Sequence, residues 1–164
     1  MTGTEFADKA LDLVGTPYNS CDCIGVVRKP LGLKIQGTNW LWRSINNSSK
    51  YQYAVMRSST PPTESEIQDG LVVFRIKWDA IPDGYSDKPD AHHVGVIIRL
   101  NRWSVIQSNP KTGVVVGDYE PDKWQGYIKM KQVEYIPPKV PEPSYELSDH
   151  EMIVAIYNKI MGRD

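Results

Sequence analysis

The feature that most restricts the fold is a series of short β-type runs in the second half of the chain. Rich in Val, Ile and aromatic residues and bounded by turn residues, the runs occupy residues 71–76, 93–100, 103–107, 114–116 and a stretch across 127–136. Asn101-Arg102 and Asn109 to Gly113 separate neighbouring runs in the manner of hairpin turns. The pattern predicts a mostly antiparallel sheet of about five strands.

Two helical patterns precede these strands. Residues 4–14 place apolar side chains at helical spacing among Asp and Lys, which predicts an amphipathic helix capped by Thr4. A second helix is predicted to begin behind Asp22 and to run to about Lys29, where Pro30 and Gly32 end it. Helices followed by a meander of strands, without βαβ alternation, indicate an α+β fold.

The segment between the helices and the strands is irregular. We expect a short helix near residues 39–45 and loop elsewhere from 35 to 62. Trp40 and Trp42 fall in this helix, and we interpret them as covering an edge of the core rather than as walls of a substrate groove.

The chain divides into three parts. Residues 1–136 form the folded domain, 137–147 form a proline-rich spacer, and 148–164 form a terminal amphipathic helix that begins with a capping box at Ser148 to Glu151. The apolar stripe of that helix is a candidate surface for self-association or for a partner.

Composition restricts the partners more than the fold. The 164 residues carry a net charge of −1, with 40% hydrophobic and 24% charged residues. The chain lacks the excess positive charge typical of proteins that bind nucleic acid or anionic membranes, and its apolar runs are too short to span a bilayer. We therefore expect neither as a partner. The chain begins without a signal-peptide pattern, so its location stays unknown.

One thiol occupies a position suited to catalysis. Cys21 and Cys23 are the two cysteines of the chain, and residues two apart fit poorly to disulfide geometry. Cys23 follows Asp22, the predicted N-cap, at the start of the second helix. There the helix dipole and unpaired backbone N–H groups should lower the pKa of the Cys23 thiol. Cys23 is therefore a candidate nucleophile.

A cysteine nucleophile needs a base and a group that orients the base. Of the three histidines, His150 belongs to the terminal helix, whereas His92 and His93 lie at the start of a strand. Adjacent strand residues point to opposite faces, and we choose His93 as the base because it leads directly into the regular strand. Antiparallel pairing then brings Gln107 close to His93, where its amide oxygen can accept from the imidazole.

In order along the chain, the motifs G-T-P-Y, D-C-I-G, H-V-G-V-I-I and V-I-Q-S-N-P-K-T-G-V resemble those of the NlpC/p-sixty family of cell-wall cysteine peptidases. The resemblance covers roughly residues 4–136. It implies a papain-like domain that cleaves the stem peptides of peptidoglycan and uses no metal or cofactor.

The resemblance also implies roles for individual residues. Cys23 is the nucleophile, His93 the base, and Gln107 takes a place commonly held by histidine. Tyr18 is expected to assist the oxyanion, and Asp22 to receive a substrate amine. Two departures are D-G-L-V-V-F in place of P-G-D-L-V-F-F, and Cys21 where many members carry a small residue.

Three other interpretations stay open. An amidase or acyltransferase on the same scaffold would share Cys23 and His93 and differ in the bond cut. A phage-tail or wall-binding module could use the same groove without catalysis, and the source could be a bacterium or a phage. Cys21, Cys23, His92 and His93 are also ligand types that zinc accepts, although their spacing suits a tetrahedral site poorly.

Overall fold

A computed structural model describes residues 1–46, 52–137 and 157–162. Its named helices are α1 (Gly3–Leu11), α2 (Gly25–Leu31) and α3 (Thr38–Arg43), with 3₁₀ turns at Ser44–Asn46 and Pro121–Lys123. Its strands are β1 (Ala54–Ser58), β2 (Val72–Lys77), β3 (Asp90–Arg99), β4 (Trp103–Asn109), β5 (Gly113–Asp118) and β6 (Gly126–Met130).

The six strands form one antiparallel sheet in the order β1-β6-β2-β3-β4-β5. The α+β class and the antiparallel sheet are thereby confirmed. The sheet has one strand more than the sequence predicted, because β1 pairs with β6 at one edge.

The sheet separates two apolar layers. On one face, Val72, Phe74, Val94 and Val96 pack with buried residues of α1 and α2 such as Phe6. On the other face, a smaller cluster contains Leu71, Val73, Ile97, Val105, Trp124 and Tyr127. Both faces of β2 and β3 are therefore covered, which explains why their apolar runs are nearly continuous rather than alternating.

The predicted first helix begins two residues early and ends before residue 14. Thr2, not Thr4, is the N-cap, since its side chain accepts from the Glu5 amide at 3.1 Å. The amide of Gly3 donates to the carbonyl of Glu134 at 3.1 Å, so a contact with a residue distant in the sequence selects this cap.

The end of the second helix was predicted in part. Gly32 ends α2 as expected, in the left-handed conformation with φ of +63°, but Pro30 lies inside the helix rather than ending it. Residues 54–58 were expected to be loop but form β1. The short helix near 39–45 is confirmed by α3, and Trp42 is buried against Phe74 with ring centroids 5.1 Å apart, as a core residue.

The predicted spacer and terminal helix lie mostly outside the described residues. Residues 138–156 are not described, and these include His150 and the capping box; residues 157–160 are helical, and the side chains of Ile160 and Met161 are exposed. Within the described ranges, none of the helices combines the length and apolar content that crossing a membrane requires.

Candidate active site

A polar turn inserts between two strands and carries the candidate nucleophile. In the β3–β4 register the last regular pair is Val96 with Ile106. Continuing the register would pair Gly95 with Gln107 and then Val94 with Ser108, yet the strands do not pair there. The Ser108 hydroxyl instead donates to the Cys21 carbonyl at 2.6 Å. The turn that ends at Cys23 therefore lies where the sheet opens between β3 and β4.

Asp22 lies near the start of the helix as predicted, but the N-cap residue is Ile24, and Cys23 precedes the helix rather than lying in it. The Asp22 carboxylate accepts from the Gly25 amide at 2.9 Å and lies 3.6 Å from the Arg28 guanidinium. Cys23 and Ile24 form the turn between Asp22 and α2. The role of Asp22 in this structure is thus a hydrogen bond to the first residue of α2 and an ion pair with Arg28.

Cys21 is a packing residue. Its side chain is fully buried, and burial raises the pKa of its thiol. A Cβ placed at Gly25 would lie 2.9 Å from the Cys21 sulfur and 3.1 Å from the Asp22 carboxylate. The glycine of D-C-I-G is therefore required by the close approach of these two side chains.

The Cys23 thiol is partly exposed, and its pKa is raised to about 11. Burial is the main cause and the charge of Asp22 adds to it, while the backbone N–H groups of Ile24, Cys23 and Val94 act in the opposite direction. The prediction that the helix end makes this thiol acidic is wrong, because loss of solvent outweighs the effect of the amides. The resting sulfur is a neutral thiol at pH 7.

The amide of Val94 fixes the position of the sulfur relative to β3. The Ile97 amide bonds to Leu71 on the β2 side, so alternation along β3 turns the Val94 amide towards β4 and the gap. Val94 directly follows the predicted base, so the thiol is influenced by the part of β3 that carries His93.

His93 and Gln107 meet as the sequence predicted. Nε2 of His93 and Oε1 of Gln107 are 2.8 Å apart, and the two residues are diagonal neighbours across the β3–β4 opening. The imidazole also stacks on Trp124, with ring centroids 5.9 Å apart and an interplanar angle of 23°. Two contacts therefore hold the ring in one orientation.

The pKa of His93 is lowered from its ordinary value. Burial is the largest cause, the hydrogen bond to Gln107 acts against it, and the positive charges of Arg75 and His92 lower the pKa further. The resting pair at pH 7 is then a neutral imidazole beside a neutral thiol, instead of a preformed ion pair. His92 is exposed and makes no comparable contact among the described residues.

Tyr18 is electrostatically coupled to the candidate thiol. Its side chain is half-buried, and its pKa is raised by burial and then by the charges of Cys23 and Asp22. This electrostatic influence places the phenol in the neighbourhood of both residues.

Sequence reasoning missed two residues at this site. Trp124 supports the imidazole, and the Arg75 guanidinium carbon lies 5.0 Å from the centroid of the same indole. The signal available in the sequence was the glycine of H-V-G: a Cβ at Gly95 would clash with the Val105 side chain and would lie 3.3 Å from the Trp124 ring. A glycine two residues after the base indicates close packing on its own face of the strand.

The described residues contain no group of three or more His, Cys, Asp or Glu side chains arranged to hold a metal ion. The zinc hypothesis for Cys21, Cys23, His92 and His93 therefore gains no support from the geometry. Two cavities of about 790 Å³ and 530 Å³ lie around Trp103 and Ile67, and neither is lined by Cys23, His93 or Gln107. Neither cavity is lined by a cysteine or a histidine.

Comparisons of the chain with protein-family models, with curated proteins and with solved structures give no significant match. The family resemblance drawn from the motifs therefore stays a prediction.

Proposed function

We propose that the protein is a cysteine peptidase that cleaves peptide bonds in the stem peptides of peptidoglycan. The observation that carries the proposal is the 2.8 Å contact between His93 Nε2 and Gln107 Oε1. The contact occupies one ring nitrogen, so Nδ1 is left to exchange a proton with the thiol.

A papain-like arrangement of the site is part of the same proposal. It is supported by a thiol at the start of α2, an imidazole from the neighbouring strand, and an uncharged polar side chain that orients the imidazole. The choice of peptidoglycan as substrate rests on the ordered motifs around Cys23, His93 and Gln107.

The reaction begins from neutral groups. As the sulfur attacks the substrate carbonyl carbon, the thiol proton passes to His93, so that the charged pair forms only with the carbon–sulfur bond. The oxyanion that develops accepts hydrogen bonds from backbone N–H groups near the sulfur and from the Tyr18 phenol. Each well-placed donor contributes about 3 kcal/mol to stabilising the transition state.

The imidazolium then returns its proton to the leaving amine as the carbon–nitrogen bond breaks, and a thioester remains on Cys23. His93, neutral again, takes a proton from water, whose oxygen attacks the thioester carbon. The carbon–sulfur bond breaks, the carboxylic acid leaves, and the proton returns to the thiolate. Gln107 holds the tautomer of His93 throughout.

The test is digestion of purified peptidoglycans with identification of the fragments by mass spectrometry. The expected result is new amino and carboxyl termini within stem peptides, which are absent with Cys23→Ala at equal protein concentration. Fragments separated at the glycan–peptide amide would indicate the amidase, and transfer to an added amine would indicate the acyltransferase. Intact peptidoglycan after prolonged incubation would contradict all three enzymes.

The raised pKa of Cys23 favours a second candidate, a wall-binding module that has no need of a reactive thiol. Its signature is co-sedimentation with peptidoglycan that is equal for the native protein and for Cys23→Ala, without release of fragments.

A further inference from the structure

Arg75 is a half-buried cation without a counter-ion in the part of the chain that the structure describes. Its Nε is buried and has no hydrogen-bond partner among the described residues, and none of the ion pairs found there includes it. Its contact is the stack on Trp124. By contrast, Arg43, which stacks on Tyr85, also donates to Asn39 at 2.9 Å and to the Pro89 carbonyl at 2.8 Å.

The position of Arg75 connects it to the candidate site. Arg75 and His93 are direct cross-strand partners in the β2–β3 register, with Cα atoms about 5 Å apart. Both side chains rest on Trp124. The guanidinium therefore lies close enough to contact a substrate residue next to any bond on which His93 acts.

The charged groups that influence the pKa of His93 are all positive. The groups that influence its pKa electrostatically are Arg75 and His92, and no carboxylate is among them. A partly desolvated guanidinium left without an anion is unfavourable, since burial removes water that nothing replaces. A planar fork of N–H donors is suited to a carboxylate, which it can bind through two parallel hydrogen bonds.

We propose that Arg75 binds a free carboxylate of the substrate, on a residue that flanks the scissile amide. This inference deepens the proposed function and rests on it for the identity of the scissile bond. Arg75 then determines specificity: a peptide whose carboxylate is converted to a carboxamide loses the charge-assisted hydrogen bonds and leaves the guanidinium unpaired again.

The test uses pairs of synthetic stem peptides that differ at one flanking residue, a free carboxylate in one and a primary carboxamide in the other. For the native protein we expect at least one pair in which kcat/KM for the acid exceeds that for the amide about tenfold or more. Arg75→Met should lower the turnover of the acid peptide more than that of the amide peptide, so that the ratio of the two kcat/KM values approaches one. Arg75→Lys should keep a smaller preference, since it retains the charge without the fork.

Arg99→Met is the matched control. Arg99 and His93 lie on the same face of β3. The guanidinium carbon of Arg99 lies 5.2 Å from the centroid of the Trp103 ring, and Arg99 is exposed. Removing it takes away the same charge from the same sheet about 20 Å from His93, so the preference for the acid peptide should persist. Equal rates for acid and amide in every pair, or a preference that survives Arg75→Met, would overturn the proposal.

A binding measurement separates this inference from the peptidase hypothesis. Cys23→Ala protein is titrated with both peptides of each pair by calorimetry, alone and combined with Arg75→Met. If the native protein cleaves neither peptide, the peptidase hypothesis fails, yet tighter binding of the acid form that depends on Arg75 still supports the carboxylate site. Equal affinity of the Cys23→Ala protein for the two forms, or no binding of either, overturns the carboxylate site. The comparison of acid with amide in Cys23→Ala protein alone does not depend on whether the Arg75→Met variant folds.

Discussion

Nε2 of His93 and Oε1 of Gln107 lie 2.8 Å apart although β3 and β4 have already diverged at this point. The two side chains thus connect β3 and β4 where the backbones of these strands no longer pair. The hydrogen bond therefore holds the imidazole where the strands separate, close to Val94, whose amide influences the Cys23 thiol.

This relationship predicts a graded loss of activity. His93→Ala should lower kcat/KM on a stem peptide by about 10² or more, because the proton acceptor is lost. Gln107→Ala should lower it by roughly tenfold, since the imidazole remains but its tautomer is less well fixed. The exposed His92, changed to Ala, is the control and should retain most activity. A Gln107→Ala variant with native kcat/KM would show that the contact does not orient the base.

The protonation state of Cys23 predicts its reactivity. With a pKa of about 11, alkylation by iodoacetamide should be slow at pH 6 and should rise steeply above pH 9, as the thiolate fraction grows. Asp22→Asn should speed alkylation at pH 8, because it removes a charge that raises the pKa while the Asn side-chain oxygen can still accept from the Gly25 amide.

Buried Cys21 provides the background rate for this experiment, measured in Cys23→Ala protein, and should remain unreactive in the folded state. A midpoint for Cys23 below pH 7 would contradict the neutral resting pair and restore the acidic thiol that the sequence suggested.

The hydroxyl of Ser108 predicts a link between stability and the site. Ser108→Ala leaves the Cys21 carbonyl without its 2.6 Å donor in a buried location, and should lower the free energy of unfolding by about 1–2 kcal/mol. Urea unfolding measures this. Ser104→Ala is the control, since that buried hydroxyl donates at 3.2 Å only to the nearby Arg102 carbonyl. Equal losses for the two variants would argue against a specific role for the strand-to-turn bond.

Close packing at Gly95 predicts a further stability effect. Gly95→Ala forces a methyl group against Val105 and the Ile106 carbonyl, which should cost about 1–3 kcal/mol and displace Trp124 from beneath His93. Gly117→Ala, in β5 with open space at its Cβ, should change the melting temperature little. A Gly95→Ala protein as stable as the native one would mean that the strand relaxes freely there.

Local patterns were sufficient for the strands whose neighbours in sequence are also their neighbours in the sheet. The runs that became β3 and β4 were found, and counting across their hairpin placed Gln107 beside His93. The strand β1 was missed because its partner β6 lies some seventy residues away and its own pattern is that of a half-exposed edge. The choice of Thr2 over Thr4 as N-cap depends on the contact with Glu134, which no local rule contains.

The same limit applies to the chemistry of the site. The sequence identified the residues around Cys23, because thiol, acid and glycine are adjacent there. It misjudged the pKa of the thiol, since desolvation depends on what packs over the sulfur. Arg75 could not be recognised beside His93 until the bulged β2–β3 register was known.

The backbone hydrogen bonds between the segment Gly15-Thr16 and β5 have a consequence for solubility. Gly15 and Thr16 exchange hydrogen bonds with Val114 at 3.0 Å and 2.9 Å, so the chain just before Tyr18 covers the outer side of β5. Edge strands with free amides recruit other chains into intermolecular sheets. A substitution that releases Gly15 and Thr16 from β5 would therefore do more than disturb catalysis. It would leave unpaired backbone groups at the edge of the sheet and promote aggregation.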